Sequence, residues 1–84
     1  MISSGQIKAA RALLGWDQRR LAETATVSLP TIQRMEASNG NVRGNVDTLV
    51  KVVDALQRGG IELIGEGVAS RQGGRGVRLL KVSG

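Results

Sequence analysis

The sequence predicts a mainly α domain of four helices followed by a C-terminal β-hairpin. Three observations carry that expectation. Apolar residues recur at three- and four-residue intervals in four segments. A Ser, Asp or Asn able to cap a helix precedes each segment. Two β-prone runs then follow a Gly-Gly pair, separated by a stretch that holds five of the twelve glycines, at 65, 67, 73, 74 and 76.

Ser3 or Ser4 caps the first helix, on which Ile7, Ala10 and Leu14 share a face, and Gly15 ends it. Asp17 caps a second, short helix with an apolar stripe of Leu21, Ala22 and Ala25. Thr26 and Val27 form a brief break. Ser28 then caps a third helix, from about Leu29 to Ala37, with Ile32 and Met35 inward. Pro30 fits its first turn, where the missing amide would have had no intrahelical partner. The Asn/Gly-rich segment 37–44 reads as an exposed loop. Asn45 caps a fourth helix whose Val46, Leu49, Val50, Val53 and Leu56 form the apolar face, and Gly59-Gly60 ends it. Residues 61–64 and 77–82 read as the hairpin strands. Residues 1–58 are thus expected to form the helical unit, and 59–84 a hairpin extension of the same compact domain.

Eighty-four residues bury only about 60% of the surface the unfolded chain exposes, and Trp16 is the one aromatic residue. A second copy is the simplest source of further burial, so a homodimer is expected, with Ile61, Leu63, Leu79, Leu80 and Val82 as candidate interface residues. Leu80 and Val82 lie on the strand face opposite Val77 and Leu79. The helices cannot cover both faces.

With no Cys and no His, the chain lacks the usual zinc ligands and the groups of Cys/His or Ser/His/Asp catalysis. No metal, cofactor or enzymatic activity is expected. No run approaches the roughly 18 apolar residues of a membrane span, and no basic segment followed by an apolar stretch opens the chain, so a cytoplasmic protein is expected. Twelve Lys and Arg against seven Asp and Glu give a net charge of +5, a balance suited to a polyanion. Much of the excess lies in the tail, where Arg71, Arg75, Arg78 and Lys81 meet no acid. The glycines around Arg71 and Arg75 are not a nucleotide-phosphate loop, because the Gly-Lys-Ser/Thr ending and the strand-to-helix setting are missing.

Two short helices joined by a tight turn let the second project into the DNA major groove. At 100° per residue, Pro30, Gln33, Arg34 and Ala37 fall opposite Ile32 and Met35. Arg34 can donate to guanine O6 and N7, Gln33 can pair with adenine, and Leu29, Pro30 or Ala37 can touch a thymine methyl. Thr31 and Ser28 border the same face, Thr31 toward the bases and Ser28 toward phosphate. The competing explanation is an ordinary amphipathic helix whose polar side faces water.

The stretches Arg11-Ala-Leu-Leu-Gly-Trp-Asp-Gln18, Leu21-Ala-Glu-Thr-Ala-Thr-Val-Ser28 and Thr31-Ile-Gln-Arg-Met-Glu36, at their intervals, resemble the lambda-repressor-like helix-turn-helix regulators, the Cro or XRE family. The resemblance covers roughly residues 4–56. It implies a double-stranded DNA operator as partner, base reading by the early third helix, a phosphate held by Gln18, and pairing of Arg11 with Glu36. It also places Arg43 where relatives grip the DNA backbone, with Asn41 and Asn39 beside it. At two positions the chain departs from the family. Thr26 stands where the turn usually has Gly, and Leu29-Pro30 stand where many relatives carry polar base readers. A repressor acting as a homodimer on an inverted repeat is the expected function. An antitoxin-type protein with a toxin partner, or a protein-interaction module without DNA binding, is the alternative.

Trp16 is expected as a core plug between helices 1 and 2. Of Arg19 and Arg20, at most one can face DNA.

Overall fold

The computed structural model describes residues 2–38, 45–64 and 76–80. Helices α1 (Ser4–Leu14), α2 (Gln18–Ala25), α3 (Leu29–Ala37) and α4 (Val46–Arg58) are followed by strands β1 (Ile61–Ile64) and β2 (Gly76–Leu79). The strands pair antiparallel, Ile61 opposite Leu79 and Leu63 opposite Val77. The expected mainly α fold with a C-terminal hairpin is the observed one.

Each helix begins as its sequence directs. Ser3 caps α1 in a capping box, its hydroxyl accepting from the Gln6 amide while the Gln6 side chain accepts from the Ser3 amide. Asp17, Ser28 and Asn45 cap α2, α3 and α4 by accepting backbone N–H groups of Arg20, Thr31 and Asp47.

Helices α1 and α2 end alike. The Trp16 amide reaches back to the Arg11 carbonyl and Gly15 to Ala12; in α2, Val27 reaches Ala22 and Thr26 reaches Glu23. Both patterns need a left-handed residue, supplied by Gly15 (φ 70°) and by Thr26 (φ 59°). The turn at Thr26 therefore keeps the left-handed geometry that Gly15 supplies after α1, and a β-branched residue bears a backbone strain of about 1 kcal/mol.

Ile7 and Ala10 of α1, Leu21, Ala22 and Ala25 of α2, and Ile32 and Met35 of α3 are buried together. Helix α2 packs on α3 and α4, while α1 spans α3 and both strands. Ile2 and Gln6, which no periodicity marks, are buried too. The Gln6 amide donates to the carbonyls of Ile64 and Gly76, fastening the hairpin to α1.

The face of α4 differs from the expected one. Leu49, Val52, Ala55 and Leu56 are buried, whereas Val46 is 69% and Val50 52% exposed. The inward face is centred on Val52 and includes the small Ala55, so the helix is turned by roughly a quarter revolution from a face chosen by side-chain size.

The hairpin also differs in detail. β2 takes in Gly76, which the sequence places in the loop, and Val82 lies outside the described residues. Ile61 is only 1% exposed and belongs to this chain's own core, so it is removed from the candidate interface. Leu63 is half-buried against the same core. Leu79 and Leu80 remain 44% and 43% exposed.

Trp16 is half-buried and packs against the core. Its ring meets Gly59 at the end of α4, where an added Cβ would lie 2.9 Å from Cη2. The Arg20 guanidinium stands 5.2 Å from the ring centroid, a cation-π arrangement.

Candidate nucleic-acid interface

The site is built on α3, a helix of nine residues. Ser28 starts it, and Pro30 occupies the first turn without losing a hydrogen bond. Ile32 at 0% and Met35 at 4% exposure clamp its inner side, while Pro30, Gln33, Arg34 and Ala37 are exposed. The polar face expected from helical spacing is therefore presented to solvent on a helix that is anchored from below.

Leu29 is half-buried and packs against the core, so only part of its side chain borders the outer face. Thr31 is half-buried as well. Its hydroxyl lies 2.7 Å from that of Ser28 and accepts from Arg34 Nη2 at 3.4 Å. Ser28, Thr31 and Arg34 thus form one chain of hydrogen bonds along the start of α3.

Behind α3, Arg11 and Glu36 meet in a forked pair. Arg11 Nε and Nη2 each donate over 2.7 Å to separate oxygens of Glu36, whose side chain is 4% exposed. Arg11 Nη1 donates to the Trp16 carbonyl at 3.0 Å. The hydrogen bond to Glu36 holds the Arg11 guanidinium above its ordinary pKa. Burial opposes this, and the charges of Glu36 and Asp17 add to it. Any stability from that shift is present throughout the range below the ordinary arginine value and is lost only as pH rises beyond it.

The same carboxylate receives the Gln18 amide, Nε2 lying 3.2 Å from Glu36 Oε1. Sequence reasoning paired Arg11 with Glu36 but did not connect Gln18 to them, because the contact joins residues eighteen apart across two helices. The spacing Ser3-x-x-Gln6 signals the capping box of α1, whereas the bonds from Gln6 to the hairpin join residues 58 and 70 apart and leave no local mark.

Arg19 and Arg20 are both exposed; Arg20 lies over Trp16. The candidate backbone contacts Asn39, Asn41 and Arg43, like Arg71 and Arg75 of the tail, lie outside the described residues. Among the described residues no group of His, Cys, Asp and Glu is arranged to hold a metal ion, and no helix is long and apolar enough to cross a membrane.

A family model described as helix-turn-helix matches residues 7–63, more than half of the chain and all of α2, α3 and α4. No curated protein matches the chain.

Proposed function

The chain belongs to the Cro/C1-type helix-turn-helix family of DNA-binding regulators, and from that premise we propose that it represses transcription as a homodimer on an inverted-repeat operator. One observation carries the reading: Gln33 and Arg34 project from a helix whose Ile32 and Met35 are buried beneath them. In the major groove, Arg34 donates to guanine O6 and N7 and Gln33 pairs with adenine. Pro30, Ala37 and the exposed part of Leu29 meet thymine methyls, and Thr31 sits at the base-facing edge. Gln18, Ser28, Asn41 and Arg43 hold phosphates.

Residues 1–58 form the reading head, and the hairpin within 59–84 brings two heads together. Half-sites then lie about 34 Å apart, one turn of DNA. Leu63, Leu79, Leu80 and Val82 supply the contact, and repression follows from occupancy of the promoter.

Selection of binding sites from a pool of random duplexes tests the proposal. The enriched sequences should form an inverted repeat with that spacing. A pool that never enriches at moderate salt would refute sequence-specific reading.

A further inference from the structure

Glu36 does more than join α1 to α3, because its Oε1 accepts from both Arg11 and Gln18. A carboxylate only accepts hydrogen bonds. It therefore selects one of the two ways the Gln18 amide can sit, with nitrogen toward Glu36 and oxygen away. The second N–H of that nitrogen is then fixed in the amide plane, turned from the carboxylate, and among the described residues the Gln18 amide donates to Glu36 alone. Gln18 is half-buried and is the first residue of α2.

A glutamine without such a partner would sample both amide orientations and several rotamers. Binding would then have to order it.

We propose that Glu36 is a positioning residue for DNA binding: it presets the Gln18 amide so that one N–H is already aimed outward for a phosphate oxygen. The proposal rests on the reading of Gln18 as a phosphate ligand. Arg11 is needed for the arrangement because its guanidinium neutralises Glu36, which would otherwise repel the phosphate it helps to bind. One buried carboxylate thus ties helix packing to the grip on the DNA backbone. The benefit applies to every DNA sequence alike, since phosphates carry no base identity.

A coupling experiment tests this with a fluorescent mixed-sequence duplex of about 20 base pairs, two helical turns. The variants are Q18A, the paired replacement R11M/E36L, and all three changes together, each checked for folding by circular dichroism. The paired replacement removes the acceptor without stranding a buried charge. Q18A should weaken binding about tenfold, as expected for one hydrogen bond to a charged group, with the salt slope unchanged because a neutral amide displaces no counterion.

The paired replacement should also weaken binding when Gln18 is present. In the Q18A background, that part of the loss should vanish. Equal losses in both backgrounds would overturn the positioning role while leaving Gln18 as a phosphate ligand. A Q18A variant that binds like wild type would overturn both. If the paired replacement does not fold, nuclear magnetic resonance of the wild-type chain decides: the two Gln18 side-chain amide protons should be well separated in chemical shift, the one that faces Glu36 slow to exchange. A fast-exchanging pair at random-coil positions would end the proposal.

Discussion

Arg11 and Glu36 lie edge to edge, each carboxylate oxygen 2.7 Å from its own guanidinium nitrogen, with Glu36 almost wholly enclosed. Neither charge can lose its partner cheaply. Arg11→Met should therefore destabilise the fold by about 3 kcal/mol, read as a lower urea midpoint. Adding Glu36→Leu should restore most of that loss. A double variant no more stable than the single one would show that the pair acts through something other than an uncompensated charge.

Thr26 adopts the left-handed conformation that Gly15 supplies at the end of α1. Thr26→Gly should remove the clash of a β-branched side chain and raise stability by about 0.5–1 kcal/mol, allowing for the greater freedom glycine has when unfolded. Such a gain corresponds to several degrees in Tm for a domain of this size. An unchanged or lower Tm would mean that the Thr26 side chain contributes contacts that offset the strain.

The difference between what the sequence shows and what it hides follows from range. Caps, the glycine stop after α1 and the stripes of α1, α2 and α3 are local, so Ser28, Pro30, Ile32 and Met35 could be placed by spacing alone. The face of α4 could not. Its valines leave two candidate faces, and the choice depends on what α2 and β1 present. Ile61 has the same character: a strand residue is assigned to core or interface only when the packing of α4 against β1 is known. In the site, the outward face of α3 was legible from period, and Arg11 with Glu36 from family resemblance. The link from Gln18 to Glu36 arises only when two helices are packed.

Arg34→Ala should lower affinity for the selected operator by about 1–3 kcal/mol while leaving a mixed-sequence duplex less affected. Arg34 is exposed, and its hydrogen bond to Thr31 is long, so its loss should leave the melting temperature nearly unchanged. The measurement is the ratio of the two affinities at one salt concentration. An equal loss on both duplexes would reassign Arg34 to the DNA backbone.

Leu79 and Leu80 are each more than two-fifths exposed at the end of the hairpin. If that surface joins two copies, Leu80→Asp should shift the chain to a monomer in sedimentation while leaving its helical signal intact. The cost of enclosing an unpaired carboxylate drives the separation. A dimer that persists would take the hairpin out of the interface and leave the exposed Val46 and Val50 of α4 as the next apolar surface to test.

Gly59 has ordinary backbone angles, φ −75° and ψ −11°, so alanine there carries no conformational penalty and in an open position would stabilise the helix end. The surroundings reverse that expectation. An added Cβ would stand 2.9 Å from Trp16 Cη2, 3.0 Å from Cζ2 and 3.1 Å from Leu14 Cδ1. The indole is held where it stands by the core it packs against and by Arg20 over its ring. Gly59→Ala should therefore destabilise by about 1–2 kcal/mol, the usual scale for overpacking, and change the fluorescence of the lone tryptophan. Combining it with Trp16→Leu separates collision from backbone strain. The smaller side chain gives the new methyl group room, so the alanine should cost much less in that background. An undiminished cost would clear the ring and trace the defect to the remaining contact with Leu14 or to the helix end itself.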